Sequence, residues 1–140
     1  MEGGLKGLRV LIVDDSFMMR RFIARSLSLV GVNPDNILEA SRGEEALKFL
    51  GSPVDILFVD INMGGMDGFE LIRRFRSLNG DVKVVVVTVD GSKPVMEEAM
   101  YLKVDAFLKK PFPPEEVRNT ILYLAGRVGQ SGAVSYVSGV

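Results

Sequence analysis

The chain has 140 residues, of which 47% are hydrophobic, so it is long enough to bury one substantial core and too short for a second folded domain. Its 17 basic and 18 acidic residues leave a formal net charge of −1, which disfavours direct binding to DNA or to an anionic membrane surface. The absence of cysteine and histidine excludes disulfides, thiolate metal sites, histidine general bases and phosphohistidine within this chain. Any chemistry must rest on oxygen ligands and lysine.

The start of the chain lacks a basic segment that leads into a long apolar one, and no apolar run approaches the length of a membrane span. Neither a signal peptide nor a transmembrane anchor is expected. We therefore predict a cytoplasmic location.

Short apolar runs rich in β-branched residues alternate with stretches of helical periodicity, which predicts a parallel sheet covered by helices on both faces. Strands are predicted at residues 10–13, 36–40, 56–59, 84–87 and 107–108. Helices are predicted from the N-cap Ser16 to Gly31, over Gly43–Leu50 and Gly68–Leu78, from about Pro94, and from Pro113-Pro114. The pattern therefore contains five β-α units.

Four of the apolar runs end in polar residues of a restricted kind. Asp14-Asp15 follows the first run, Asp60 follows 56–59, Thr88 follows 84–87, and Lys109-Lys110 follows 107–108. Ligands of open α/β sheets bind beyond the carboxyl ends of the strands. The sequence therefore gathers three carboxylates, a hydroxyl and an ammonium group at one edge of the sheet.

These residues, together with the Met66-Asp67-Gly68 turn and Lys110-Pro111-Phe112, resemble the receiver domain of bacterial two-component response regulators over roughly Leu8–Arg127. Residues 14–21 also resemble the single-domain chemotaxis regulators of the CheY type. The resemblance implies a doubly wound (βα)5, flavodoxin-like fold with a five-stranded parallel sheet in the order 2-1-3-4-5.

We draw the receiver domain at residues 8–127 and a short C-terminal tail at 128–140. The tail is rich in Gly, Ser and Val, and it offers little to a core. Ala133–Ser138 partly alternates apolar and polar residues and would suit an added edge strand, but the sequence favours disorder.

The acidic residues suit Mg²⁺, which prefers octahedral oxygen ligands, with Mn²⁺ as an alternative. The resemblance supports a division of roles in which Asp15, Asp60 and the backbone carbonyl of Asn62 bind the ion directly and Asp14 acts through water. Asp60 is the predicted phosphoacceptor, because a carboxylate can form an acyl phosphate. Thr88 and Lys110 are predicted to hold the remaining phosphoryl oxygens.

Lys109 should point to the other face of its strand and is left out of the site.

Phe107 occupies the aromatic switch position of the family. A surface for partner proteins is predicted around it, because methionines spaced i, i+4 on the fourth helix suit an adaptable docking site. Its residues are Lys93, Met96, Met100 and Tyr123.

The resulting hypothesis is a phosphorylation-switched receiver that takes its phosphoryl group from a sensor histidine kinase and then binds an effector protein. Chemotaxis or motility is the leading output, with the flagellar motor switch as one candidate effector. An intermediate receiver in a phosphorelay and a phosphorylation-independent scaffold are the alternatives. The chain would catalyse its own phosphorylation and dephosphorylation but would not be a turnover enzyme, because no second general acid or base is evident.

Overall fold

The computed structural model describes residues 2–128 and 136–138 of the chain. One sheet contains all the described strands, every neighbouring pair is parallel, and the strand order is β2-β1-β3-β4-β5-β6. The strands are β1 Val10–Val13, β2 Ile37–Ala40, β3 Ile56–Val59, β4 Lys83–Thr88, β5 Ala106–Lys109 and β6 Tyr136–Ser138. The α-helices are α1 Glu2–Gly7, α2 Phe17–Val30, α3 Gly43–Ala46, α4 Gly68–Leu78, α5 Lys93–Tyr101 and α6 Pro114–Ala125. Short 3₁₀ helices occupy Pro34–Asn36 and Leu47–Phe49.

Alternate residues of each strand enter two cores on opposite faces of the sheet, because successive side chains of a strand point in opposite directions. Leu11, Leu57 and Val84 lie in the first core, which α3, α4 and α5 cover. Ile12, Phe58 and Val85 lie in the second, which α2 and α6 cover. Burial on both faces explains why these strands are continuous apolar runs.

Two of the predicted helix starts have capping contacts from a side chain. The Ser16 hydroxyl accepts a hydrogen bond from the Met19 N–H at 3.1 Å, and the Asp67 carboxylate accepts one from the Glu70 N–H at 3.0 Å. Each contact satisfies an N–H that a helix start leaves without a partner. The helix predicted over residues 43–50 is shorter than expected, since regular α-helix ends at Ala46 and a 3₁₀ turn follows.

The first helix, α1, was not predicted. Its sequence contains three glycines in six residues. Because glycine has a low helix propensity, there was no reason to expect a helix here from the sequence. Leu5 packs against the second core, and the Lys6 carbonyl accepts a hydrogen bond from Asn36 Nδ2 at 3.1 Å. Packing and this contact tie α1 to the turn before β2.

The sixth strand lies in the segment for which disorder was favoured. Residues 136–138 pair in parallel with β5, and Val137 lies opposite Phe107. The structure thus shows the edge strand that the alternation of Ala133–Ser138 offered as the alternative. The rest of the predicted tail beyond Val128 lies outside the described residues, and the boundary at 127 stays a prediction.

The turn between α5 and β5 is held by the half-buried side chain of Arg76. Lys103 adopts a left-handed backbone with φ of 56°, where glycine is the common residue. Arg76 donates to the carbonyl oxygens of Leu102 and Lys103 at 2.7 and 3.3 Å, and it pairs with the buried Asp105 at 3.0 Å. These contacts fix where β5 begins, and therefore where Lys110 is placed at the other end of the strand.

Across the described residues, no helix is both long and apolar enough to cross a membrane.

Cutting the chain after Arg127 removes the pairing between β5 and β6. We expect the backbone amides of residues 106–109 to exchange with deuterium faster in the shortened chain, because an unpaired sheet edge is exposed to water. Hydrogen exchange read by mass spectrometry checks this, with residues 84–87 of the interior strand β4 as an internal control. Equal protection of 106–109 in both chains would contradict the six-stranded sheet.

Candidate functional site

The site lies at the carboxyl edge of the sheet, where neighbouring strands extend their pairing by one residue. The Asp14 N–H donates to the Ala40 carbonyl at 3.1 Å, and the Asp60 N–H donates to the Val13 carbonyl at 2.9 Å. These backbone bonds fix both aspartates beyond their strands. The two residues are only 1% and 5% exposed, so their carboxylates have been removed from most of the solvent.

Lys110 places its ammonium group between these two carboxylates. Its Nζ donates to Asp14 Oδ2 at 2.8 Å and to Asp60 Oδ2 at 3.1 Å, and its side chain is 14% exposed. The peptide bond between Lys110 and Pro111 is cis. Two buried negative charges therefore share one positive charge, which leaves a net negative site.

The pKa values of the group reflect that arrangement. Burial raises the pKa of Asp60, and the nearby Asp14 charge adds to the rise, while the Asn62 N–H and Lys110 offset part of it. For Lys110, burial lowers the pKa, but the hydrogen bonds and charges of Asp14 and then Asp60 outweigh burial and leave the pKa raised. The ammonium is therefore held firmly in its charged form.

Asp15 completes an acidic group with these two aspartates. One carboxylate oxygen from each of Asp14, Asp15 and Asp60 lies within 4.8 Å of the others. Oxygen donors of this kind are the ligands of hard divalent cations, so the residues present fit Mg²⁺. The Asn62 N–H donates to Asp60 Oδ1 at 2.9 Å, which places this residue beside the group; its carbonyl as a ligand stays a prediction.

Thr88 is connected to the same residues through Asn62. Its Oγ1 accepts hydrogen bonds from Asn62 Nδ2 at 3.3 Å and from the Asp90 N–H at 3.2 Å, and the residue is fully buried. Both contacts use the hydroxyl oxygen as an acceptor. The hydroxyl proton can therefore be donated to an oxygen of a bound group.

The loop after Asp60 depends on a glycine. A Cβ atom at Gly68 would lie 2.6 Å from Ile61 Cα and 2.7 Å from the Asp60 carbonyl oxygen, distances at which no side chain fits. Gly68 therefore lets the start of α4 pack directly against the residue that follows Asp60. This close approach explains the Gly in the Met66-Asp67-Gly68 turn.

Three residues at or around the site were missed from the sequence: Arg20 contacts Asp14 directly, Glu39 contacts Arg20, and Glu44 contacts the loop that follows Asp60. Arg20 donates to the Asp14 carbonyl oxygen at 2.7 Å and to Glu39 Oε1 at 3.1 Å, and Glu44 accepts a hydrogen bond from the Met66 N–H at 3.2 Å. Arg20 lies on α2, Glu39 on β2 and Glu44 on α3. Charged residues on helices and on an outer strand are usually predicted to lie on the solvated surface. The spacing of these three residues along the sequence does not relate them to the strand ends that form the site.

The residues predicted as a partner face are not all on the surface. Lys93 is exposed and Met100 is 73% exposed, but Met96 is half-buried and packs on the first core. Tyr123 packs on the second core, across the sheet, with its ring 4.0 Å from the Arg127 guanidinium carbon. Phe107 is 3% exposed and lies in the first core.

Lys109 lies outside the site, as predicted. It is exposed, and a Cβ atom at Gly91 would lie 3.0 Å from its Cδ.

The family model of the response regulator receiver domain matches residues 10–122 of this chain. The chain belongs to the response regulator receiver family. A chemotaxis protein CheY homologue of Campylobacter jejuni is 33% identical over 130 residues, which cover 90% of this chain and 98% of that protein.

Two solved structures extend the comparison. A CheY-like receiver of Methanospirillum hungatei has a TM-score of 0.79 at 23% identity, with 86% of this chain and 94% of that one covered, and shows a shared fold. The CheY of a CheX-CheY-BeF3-Mg²⁺ complex from Borrelia burgdorferi has a TM-score of 0.76 at 25% identity, with 84% and 88% covered.

These comparisons confirm the predicted family and the doubly wound fold with its 2-1-3-4-5 order, to which β6 adds one edge strand. Receiver domains are signalling proteins and not turnover enzymes. The individual site residues stay predictions, now with a defined geometry.

Asp60→Asn should raise the free energy of unfolding at neutral pH. The folded-state pKa of Asp60 lies above its unfolded value, so the ionised carboxylate destabilises the fold at pH values above the folded pKa. That penalty disappears as the pH falls below the unfolded value, near 4. The advantage of the variant should therefore shrink in acid, which urea unfolding at several pH values measures.

Asp15→Asn is the matched control, because it removes an exposed member of the same acidic group. It should change stability by less than about 0.5 kcal/mol. An Asp60→Asn variant that is less stable than the parent at neutral pH would show that the Asp60–Lys110 contact outweighs the burial of a second carboxylate.

Proposed function

We propose that this receiver accepts a phosphoryl group on Asp60 from a phosphohistidine of a sensor histidine kinase, in a Mg²⁺-dependent reaction, and then signals through an effector protein. One observation carries the proposal: the Asp60 carboxylate is buried beside a second and a third carboxylate and in contact with Lys110 Nζ at 3.1 Å. A purely structural role would not explain why three carboxylates and an ammonium group lie so close together. The predicted cytoplasmic location is part of the proposal.

The two oxygens of Asp60 have different partners before the reaction. Oδ1 accepts from the Asn62 N–H and Oδ2 from Lys110. In the transfer, one Asp60 oxygen forms a bond to phosphorus as the bond from phosphorus to the donor histidine nitrogen breaks, and the histidine leaves with that electron pair. The product is an acyl phosphate on Asp60.

Lys110 and Thr88 receive the charge that the phosphoryl group brings. The ammonium can turn from the carboxylates to a phosphoryl oxygen, because it donates up to three hydrogen bonds. The Thr88 hydroxyl can donate to another. Asp14, Asp15 and Asp60 would hold Mg²⁺, which when bound offsets negative charge on the transferred group.

The same groups serve the loss of the phosphoryl group to water, so the receiver acts on itself in both directions. In a switch of this kind, the occupied site differs from the empty one in the contacts of Lys110 and Thr88. Phe107 lies on the same side of the sheet as Thr88 and packs in the first core with Val95 and Met96 of α5. A change at Thr88 would reach α5 through that packing.

Chemotaxis or motility control is the proposed output, supported by the chemotaxis relative from Campylobacter jejuni. The Borrelia burgdorferi structure, in which a CheY is complexed with CheX, supports binding to a protein partner. An intermediate receiver in a phosphorelay would have the same site and would differ only in the protein that it binds.

Incubation with acetyl phosphate and Mg²⁺ should add one phosphoryl mass to the full chain, because acetyl phosphate carries a transferable phosphoryl group. The product is measured by intact-protein mass spectrometry. Chelating the metal or changing Asp60→Asn should abolish the addition.

Asp67→Asn is the matched control, since Asp67 is an exposed aspartate in the same loop whose carboxylate caps α4. It should be phosphorylated like the parent. Labelling that persists in Asp60→Asn would refute the phosphoacceptor assignment.

Lys110→Met should separate cation binding from signalling. Mg²⁺ should bind at least as tightly as in the parent, because the ammonium no longer competes for Asp14 and Asp60. Addition of beryllofluoride should shift NMR signals of Phe107 and Met100 in the parent and leave them in place in the variant. Lys109→Met, which changes the exposed neighbour, should respond like the parent; full shifts in Lys110→Met would disprove the coupling.

A further inference from the structure

Asp15 is the member of the acidic group whose carboxylate has the fewest contacts with other side chains and backbone groups. Asp14 and Asp60 are buried and share Lys110. Asp15 is exposed, and its carboxylate makes no hydrogen bond or ion pair within the described part of the chain. Its position therefore depends on the backbone that carries it.

One side chain from outside the turn holds that backbone. Arg20 Nη1 donates to the Asp14 carbonyl oxygen at 2.7 Å. That carbonyl belongs to the peptide unit that joins Asp14 to Asp15, and a peptide unit is planar and rigid. A contact that fixes the carbonyl direction therefore also fixes the direction in which the chain enters Asp15.

Arg20 is itself held on two further sides. Its Nε donates to Glu39 Oε1 at 3.1 Å, and its guanidinium carbon lies 5.6 Å from the centre of the Phe17 ring. The side chain is 13% exposed, which is low for an arginine. A planar guanidinium with donors in fixed directions can make the carbonyl and carboxylate contacts at once.

We propose that Arg20, held by Glu39, is a positioning residue for the cation site: it orients the Asp14–Asp15 peptide so that Asp15 completes the acidic group. The proposal rests on the proposed function, in that it requires the acidic group to bind Mg²⁺. The charge of Arg20 alone would oppose cation binding. Glu39 offsets that charge, and the two residues therefore act as a unit.

Opposite effects of charge and position make a sharp test. Arg20→Met removes a positive charge near the site, which alone would strengthen Mg²⁺ binding, and removes the contact with Asp14, which should weaken it. We expect the Kd for Mg²⁺, measured by titration calorimetry on the full chain, to rise roughly tenfold, as is usual when a residue that orients a metal ligand is lost. Because the change of charge acts in the opposite direction, weaker binding by a variant that stays folded reports lost positioning.

Arg21→Met is the matched control. Arg21 is the next residue on the same helix and pairs with the same Glu39, but it makes no contact with the Asp14 carbonyl. Its Kd for Mg²⁺ should be unchanged or lower. Arg20→Lys, which keeps the charge and a donor, should recover part of the lost affinity.

Glu39→Gln gives a second test that leaves Arg20 in place. It should raise the Kd for Mg²⁺, because the guanidinium loses one of its supports and because the site loses a nearby negative charge. The double variant Arg20→Met/Glu39→Gln keeps the net charge of the parent, so a raised Kd in that variant reports lost positioning. Urea unfolding of each variant identifies a purely structural role, which would lower stability and leave the Kd of the folded protein unchanged.

A Kd in Arg20→Met equal to that of the parent, with Asp15→Asn weakening binding, would overturn the positioning role and leave the proposed function intact. If the parent itself binds no Mg²⁺, the cation site of the proposed function fails, and the positioning role fails with it.

Discussion

The contact of one ammonium group with two buried carboxylates is the interaction on which the site depends. Removing ionised carboxylates from water is unfavourable unless a counter-charge and hydrogen bonds replace the solvent. Lys110 supplies the charge to Asp14 and Asp60, and backbone N–H groups of Ser16 and Asn62 supply further hydrogen bonds. One positive charge for two negative ones leaves the site with a net negative charge, which suits a divalent cation.

The sheet brings these groups together without any local sequence motif that joins them. Asp14 and Asp60 follow adjacent strands, β1 and β3, and Lys110 follows β5 two strands further along the sheet. Parallel strands end at a common edge, so residues separated by 96 positions along the chain come within 2.8 Å. For this reason, the residues that follow the predicted strands were enough to predict the site from the sequence alone.

Most of the features that were predicted correctly depend on local sequence patterns, such as the periodicity of apolar residues. Apolar runs marked the five strands, and the polar cap Ser16 marked the start of the first predicted helix. The acidic group and Lys110 followed from those strand ends. The family resemblance supplied the strand order, which no local pattern contains.

The parts that could not be predicted depend on contacts between distant segments. α1 forms against the second core although its glycines disfavour a helix, and Lys103 takes a left-handed backbone that Arg76 supports from another helix. Arg20 belongs to the same class. Its role is visible only when the Asp14 carbonyl and Glu39 are both placed beside it.

The sixth strand covers one edge of the sheet. In a five-stranded receiver sheet β5 would be the edge, with its backbone N–H and C=O groups open to pairing. Residues 136–138 pair with Ala106–Leu108 here, so that edge is covered. Two large apolar side chains of α5 are exposed: Met100, which belongs to the predicted partner face, is 73% exposed, and Tyr101 is 80% exposed. Because α5 packs on the core that contains Phe107, the proposed switch would act on a helix that also carries exposed apolar side chains.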